Sequence, residues 1–272
     1  MVEAATTVNE KLFITSKPIA PSPPFAGEEA PGWTDEDLFK EPPPNEDWEC
    51  PICFLQLPVN KGEIQYYSCC GNVVCRGCAF ADITENNRTI CTFCRAPAPT
   101  SERERVKRLK KRVDADDFWA INQLGCCYSE GKGGLRRDYG KAMELWLRAG
   151  ELGCIPAYNN VGFAYSQGRG VESDSKKTLH FYGLAAVGGN VLARHNLGLF
   201  EKREGNVDRA FRHWMIAAGA GYDKSLTKIR EGFLKGDVTK DNFEKALRTH
   251  QAAKDEMKSG HREAYLQAIT NK

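Results

Sequence analysis

Eight of the eleven cysteines in this chain of 272 residues fall between positions 50 and 94, as Cys50, Cys53, Cys69, Cys70, Cys75, Cys78, Cys91 and Cys94. Three of the pairs are C-x-x-C, a spacing that lets two thiolates reach one tetrahedral metal ion from a single tight turn, and the fourth pair is adjacent. Eight thiolates are enough for two zinc ions. The competing readings are disulfides and free thiols. The first residues, MVEAATTVNEKLFITS, lack the basic start and unbroken apolar run of a secretory leader. In the reducing compartment that this implies, the spacing points to metal rather than to disulfides. The segment is also short and poor in large apolar side chains, so it depends on metal to fold.

The order of the pairs carries more information than their number. A C-x2-C, fifteen intervening residues, a close pair, a C-x2-C and, after twelve more residues, a last C-x2-C resembles the RING finger, whose ligand pairs interleave in a cross-brace. The resemblance implies that Cys50, Cys53, Cys75 and Cys78 hold one zinc and that Cys69, Cys70, Cys91 and Cys94 hold the other. It departs from most of the family at Cys69-Cys70, where no spacer separates the pair and a cysteine stands in place of histidine, and at Thr92, where proline is common. The resemblance also implies a surface for a ubiquitin-conjugating enzyme and its ubiquitin. Ile52 falls between the first two ligands, Phe80 and Ile83 follow Cys78, and Arg95 follows the last ligand. The plainer reading makes the three apolar residues a small core and Arg95 a solvated charge.

Around this segment the composition shifts. Residues 1 to 49 carry eleven acidic and three basic side chains, net −8, so the rest of the chain carries about +10; they also hold eight of the thirteen prolines. With little to bury, this stretch is expected to be disordered. Its WTDEDLF island, Trp33 to Phe39, reads as a tail with incidental aromatics, the other reading being a short helix that docks on a partner. Asn87-Arg88-Thr89 is a glycosylation sequon without a leader to make use of it. Residues 101 to 113, SERERVKRLKKRV, place Val106, Leu109 and Val113 at helical spacing among seven basic residues. That pattern predicts a solvated connecting helix; without aromatics for base stacking, nucleic-acid binding is the weaker alternative.

From residue 114 the chain repeats. Ala120 to Gly125 (AINQLG) returns as Ala157 to Gly162 (AYNNVG) and as Ala193 to Gly198 (ARHNLG), while Trp146, Tyr182 and Trp214 correspond, as do Ala149, Ala185 and Ala217. Ser225 to Gly260 is a degenerate fourth unit. Each unit predicts helix, glycine-containing loop, helix, with Asp138 and Asp174 as N-caps and the glycine of the first helix admitting a close neighbour. These units, with the loop YSQGRGV from Tyr165 to Val171, are similar to Sel-one-like repeats, relatives of the tetratricopeptide repeat. One helix pair cannot bury its apolar face alone, but three or four stacked pairs can. Trp119, Trp146, Tyr182 and Trp214 are therefore expected in the core, and Cys126, Cys127 and Cys154 as small buried residues. The five histidines show no carboxylate or nucleophile in fixed relation, and the sequence has no triad, phosphate loop or dinucleotide motif.

The expected fold is mainly α: a small cross-brace zinc finger, then an α-solenoid of three to four helix-pair repeats, with a disordered N-terminal tail. The expected divisions are an acidic tail at 1–46, the zinc finger at 47–99, a linker helix at 100–113, repeats at 114–262 and a C-terminal tail at 263–272. No run of eighteen apolar residues exists, so no membrane span is expected and an intracellular setting, cytoplasmic or nuclear, follows. The resemblances together imply a RING-type ubiquitin-protein ligase that recruits a charged conjugating enzyme through the zinc domain and holds a protein substrate or scaffold on the concave face of the repeats. A zinc-stabilised adaptor without ligase activity is the alternative.

Overall fold

A computed structural model of the chain describes residues 33–40, 48–59, 61–86 and 90–270. The first described element is α1 (Asp35–Phe39), a five-residue helix opened by a capping box in which Thr34 and Asp37 bond each other's backbone N–H. The expected tail otherwise falls on residues 1–32 and 41–47, outside the described residues, as does the 87–89 sequon. The reading of WTDEDLF as incidental is corrected here: α1 packs against the repeats, and Leu38 is fully buried. The surface that offsets its ordering entropy lies some 150 residues away in sequence, where local composition cannot show it.

The cysteine-rich module follows. Its β1 (Ile64–Tyr66) and β2 (Val73–Cys75) form an antiparallel pair with Ile64 opposite Cys75, and α2 (Arg76–Asn86) runs on directly from β2. Then comes α3 (Glu102–Val113), started by Ser101, whose hydroxyl accepts the Glu104 N–H. The helix is as expected, but Val106, Leu109 and Val113 are buried against the repeats, so only its basic face is solvated.

The remaining helices come in pairs: α4 (Phe118–Glu130) with α5 (Tyr139–Glu151), α6 (Ile155–Gln167) with α7 (Ser175–Val187), α8 (Val191–Arg203) with α9 (Val207–Gly219), and α10 (Asp223–Lys235) with α11 (Lys240–Glu256). The repeat's glycine explains the pairing. A methyl group on Gly125, Gly162 or Gly198 would overlap the ring of Trp146, Tyr182 or Trp214, so each first helix seats the aromatic residue of its second. Those three rings are buried, at 6%, 3% and 0% exposure. Trp119 lies outside that register and is half-buried, its ring 5.6 Å from that of Trp48. The N-caps form as expected, with Asp138 and Asp174 accepting from Lys141 N and Lys177 N at 2.9 Å.

Successive pairs are joined by a polar rung. Asn160 donates to Asn122 and Asn196 to Asn159, each at 2.9 Å. Unit three places His195 at the Asn159 position, and its Nδ1 meets Ser225 of α10 at 2.9 Å. The histidines are thus less isolated than the sequence suggests, since His250 also lies 3.0 Å from the Asp223 carboxylate.

The chain does not end in a tail at 263. It forms α12 (Gly260–Thr270), which leaves the repeats and packs along α2. The approach is close enough that a Cβ on Gly77 would lie 2.6 Å from the Arg262 backbone. Among the described residues no helix is long and apolar enough to cross a membrane.

Candidate metal centre

The module contains two turns built alike. Cys50 N–H donates to Leu55 and Cys91 N–H to Ala96, while Phe54 and Arg95 N–H donate back to Cys50 and Cys91, so each bond recurs 41 residues on. The bridges Glu49↔Gln56 and Ile90↔Pro97 close both turns. Phe54 and Arg95 take the left-handed conformation, with φ of 56° and 61°. Few side chains accept that geometry unless the surroundings impose it. In each turn both sulfurs are thereby pointed to one side.

The structure brings together the two sets of four. The Sγ atoms of Cys50, Cys53, Cys75 and Cys78 lie within 4.8 Å of one another, and so do those of Cys69, Cys70, Cys91 and Cys94. Cys53 to Cys75 is 3.9 Å and Cys70 to Cys91 is 3.6 Å. A tetrahedral zinc with bonds of about 2.3 Å sets its sulfurs about 3.8 Å apart, so the spacing suits that ion. The sets interleave along the chain, since the second pair of one lies between the pairs of the other. The adjacent pair sits in a turn where Cys70 and Gly71 both donate to the Tyr67 carbonyl, and there both sulfurs join the same cluster.

The closeness of the thiols shows in their protonation. In the first cluster the Cys75 thiol donates to Cys50 and lowers the latter to about 4 against the opposing effect of burial. Cys75 is itself driven up by that same bond and by burial, and burial raises Cys78 to about 12. In the second, burial and the bonds to Cys94 and Cys91 raise Cys69. Thiols this close do not all ionise on their own, and four thiolates in one place need a compensating charge.

Around the sulfurs are groups that the sequence did not announce. Asn72 donates to Cys70 Sγ at 3.3 Å. From α12, Arg262 lies 3.6 Å from Cys53 Sγ and donates to the Gln56 carbonyl at 2.8 Å. Asn72 lies beside its cysteine in sequence and could have been singled out; Arg262 carries no local signal. Of the proposed contact residues, Ile52 is half-buried in the module's core, Phe80 is half-buried with its ring 5.9 Å from that of Tyr265, Ile83 is 54% exposed and Arg95 is exposed. Phe54 of the first turn is also exposed, at 75%.

Residues 120–154 and 155–190 match the model of the Sel1 repeat family. Those two stretches hold the first two helix pairs, α4 with α5 and α6 with α7, which match as Sel1 repeats. Among curated proteins, a sel1-like repeat-containing protein of Acanthamoeba polyphaga mimivirus is 29% identical over 99 residues, 36% of this chain. The ERAD-associated E3 ubiquitin-protein ligase component HRD3B of Arabidopsis thaliana is 27% identical over 113 residues, 41% of this chain. This chain covers only 18% of the length of each of these relatives. A solved Sel1 repeat protein from Oxalobacter formigenes is 25% identical, with a TM-score of 0.49 over 56% of this chain and 64% of that one. A Sel1 array is a protein-interaction fold, because stacked pairs present a continuous side-chain surface.

Proposed function

We propose that this chain is a RING-type ubiquitin-protein ligase with two zinc ions, in which the Sel1 repeats hold a protein substrate or scaffold. The observation that carries the reading is the interleaving of two four-sulfur clusters, the cross-brace arrangement of the family that the cysteine order resembles. The donor sets fit zinc in number, softness and spacing. Bound metal would supply structure, with Cys75 of β2, Cys78 of α2 and the Cys69-Cys70 turn held to the two Cys-x-x-Cys turns. The similarity of the repeats to a protein named as a ubiquitin-protein ligase component adds support.

No residue of the chain is asked to attack anything. A ligase of this kind holds a conjugating enzyme's thioester in reactive geometry while a substrate lysine attacks, so rate comes from positioning. Exposed Ile83 and Arg95 are the residues best placed for that contact, with Ile52 at the rim and Phe80 at the border with α12. One observation favours the adaptor alternative: Tyr265 of α12 already packs on Phe80, so part of the conjugating-enzyme face is covered by the chain itself.

The test is ubiquitin transfer by the purified full chain with activating enzyme, ubiquitin and a panel of conjugating enzymes, beside Ile83→Ala and Arg95→Ala. Metal content is measured in each. Chains formed by the parent and lost in variants that retain two zinc ions establish the ligase. A parent with two zinc ions that stimulates no enzyme in the panel sinks it in favour of the adaptor.

A further inference from the structure

The segment Trp33 to Lys40 lies in a seam formed by α7, α8 and α9, and the seam is made from residues that break the repeat. After the first alanine of each unit stand Ile121, Tyr158 and then Arg194; before the second-helix aromatic stand Leu145, Phe181 and then His213. Arg194 and His213 are buried all the same, at 2% and 0% exposure. A guanidinium at a core position of a repeat is costly unless something answers it.

What answers it is α1. Arg194 donates to the carbonyls of Leu38 and Lys40, which are left open at the C-terminal end of that helix. Asp35 accepts from both Arg209 and Arg212, the latter at 2.7 Å. Phe39 packs against the His213 ring, centroids 4.5 Å apart, with the Arg212 guanidinium 3.6 Å from its own centroid. The Trp33 indole donates to the His180 carbonyl at 3.3 Å and lies over Gly183, where a side chain would overlap it.

Without the segment, three guanidiniums would share an apolar-floored groove, with Glu201 answering Arg209. Such a groove favours an acidic ligand with aliphatic and aromatic anchors. A five-residue helix has no stability of its own, so the order of α1 derives from the groove. A few buried anchors and a pair of ion pairs are the energetic form of a short motif bound to a receptor.

We propose that the seam of α7, α8 and α9 is a recognition site for a short acidic motif with the pattern Trp-Thr-Asp-x-Asp-Leu-Phe, that Trp33–Lys40 occupies it in cis, and that a partner protein bearing the same pattern enters by displacing it. The inference goes beyond the ligase reading and does not rest on it. Tethering raises the local concentration of the cis segment to the millimolar range, so free motif competes poorly until the segment is weakened.

The test uses the full chain and a labelled synthetic peptide of residues 31–42, followed by fluorescence anisotropy. The Leu38→Asp chain is expected to bind the peptide at least about tenfold more tightly than the parent, where the cis segment competes. Binding should vanish when the peptide itself carries Leu38→Asp, or when Arg209→Glu and Arg212→Glu are added to the chain. A Leu38→Asp chain with intact helical circular dichroism that ignores the peptide overturns the proposal. Hydrogen exchange on the parent guards against a variant that fails to fold: amides of 35–39 should open at least about tenfold more often than those of α8. If both open only together, the segment is a fixed part of the repeats and the proposal falls.

Discussion

Among the described residues, the apolar cluster of the cysteine-rich module has six buried members, and three of them are cysteines of the first sulfur set. From α4 to α9 the core instead stacks Trp146, Tyr182 and Trp214 on glycine after glycine, with asparagine rungs between pairs. One region buries little beyond Leu57, Val74 and Ala79 besides its sulfurs, while the other stacks a continuous apolar core from pair to pair. The difference teaches that the two regions, joined by the Tyr66 bond to Asp117 and by Trp48 on Trp119, answer to different reagents.

Chelation should break the comparison most sharply. Structural zinc contributes on the order of 10–16 kcal/mol to small domains of this kind, far more than six buried residues can replace. If zinc fills both clusters as proposed, chelation is expected to expose amides of 49–97, and of α12 through its contact with α2, while α4 to α11 keep their helical circular dichroism. Hydrogen exchange with and without chelator reads both at once. Loss of the repeat helices in the same step would show that the repeats borrow their stability from the module.

The reciprocal experiment is Trp214→Ala. This indole is fully buried, fills the space over Gly198 and donates to the His195 carbonyl at 3.2 Å. Removing it should cost about 3–5 kcal/mol, visible as a lower midpoint in denaturant, with the metal content of the parent chain retained under native conditions. Metal loss in the folded variant would contradict the separation.

How much of this was readable depended on whether the signal was local or periodic. The cysteine pairs are local, and the repeat register from Ala120 to Ala217 is periodic; both carried through to the sulfur clusters and the helix pairs. The docked segment and α12 were missed because their partners are remote: Leu38 is bonded by Arg194, and Arg262 reaches Cys53 across 209 positions. The α7–α9 seam did leave a trace, in Arg194 and His213 at positions that are apolar in the other units. A guanidinium at a repeat-locked core position, as at Arg194, has to be answered from elsewhere in the chain.

Acid sharpens the comparison most finely, because it acts on both regions by separate groups. Burial, aided by Lys224 and Lys228 of α10, pushes His195 down to about 4; burial, aided by Arg194 of α8 and by Arg209 and Arg212 of α9, pushes His213 down to about 3. Asp35 of α1 pairs with Arg209 and Arg212 and offsets part of their field. Both folded values lie below the ordinary histidine value near 6.5, so the fold favours the neutral rings. The stability this provides is complete above about pH 6.5 and is lost as pH falls toward the folded values, where the unfolded chain binds the extra protons. Each ring should steepen the loss by up to about 1.4 kcal/mol per pH unit between pH 4 and 6. The repeat itself supplies the controls, since Leu145 and Asn159 occupy the equivalent positions. His213→Leu and His195→Asn, measured by urea unfolding across that range, should each flatten the slope of the repeats and, if the clusters hold zinc as proposed, leave its acid release, set by protonation of the thiolates, where it was. An unchanged slope in the double variant would place the acid sensitivity of the repeats in their carboxylates instead.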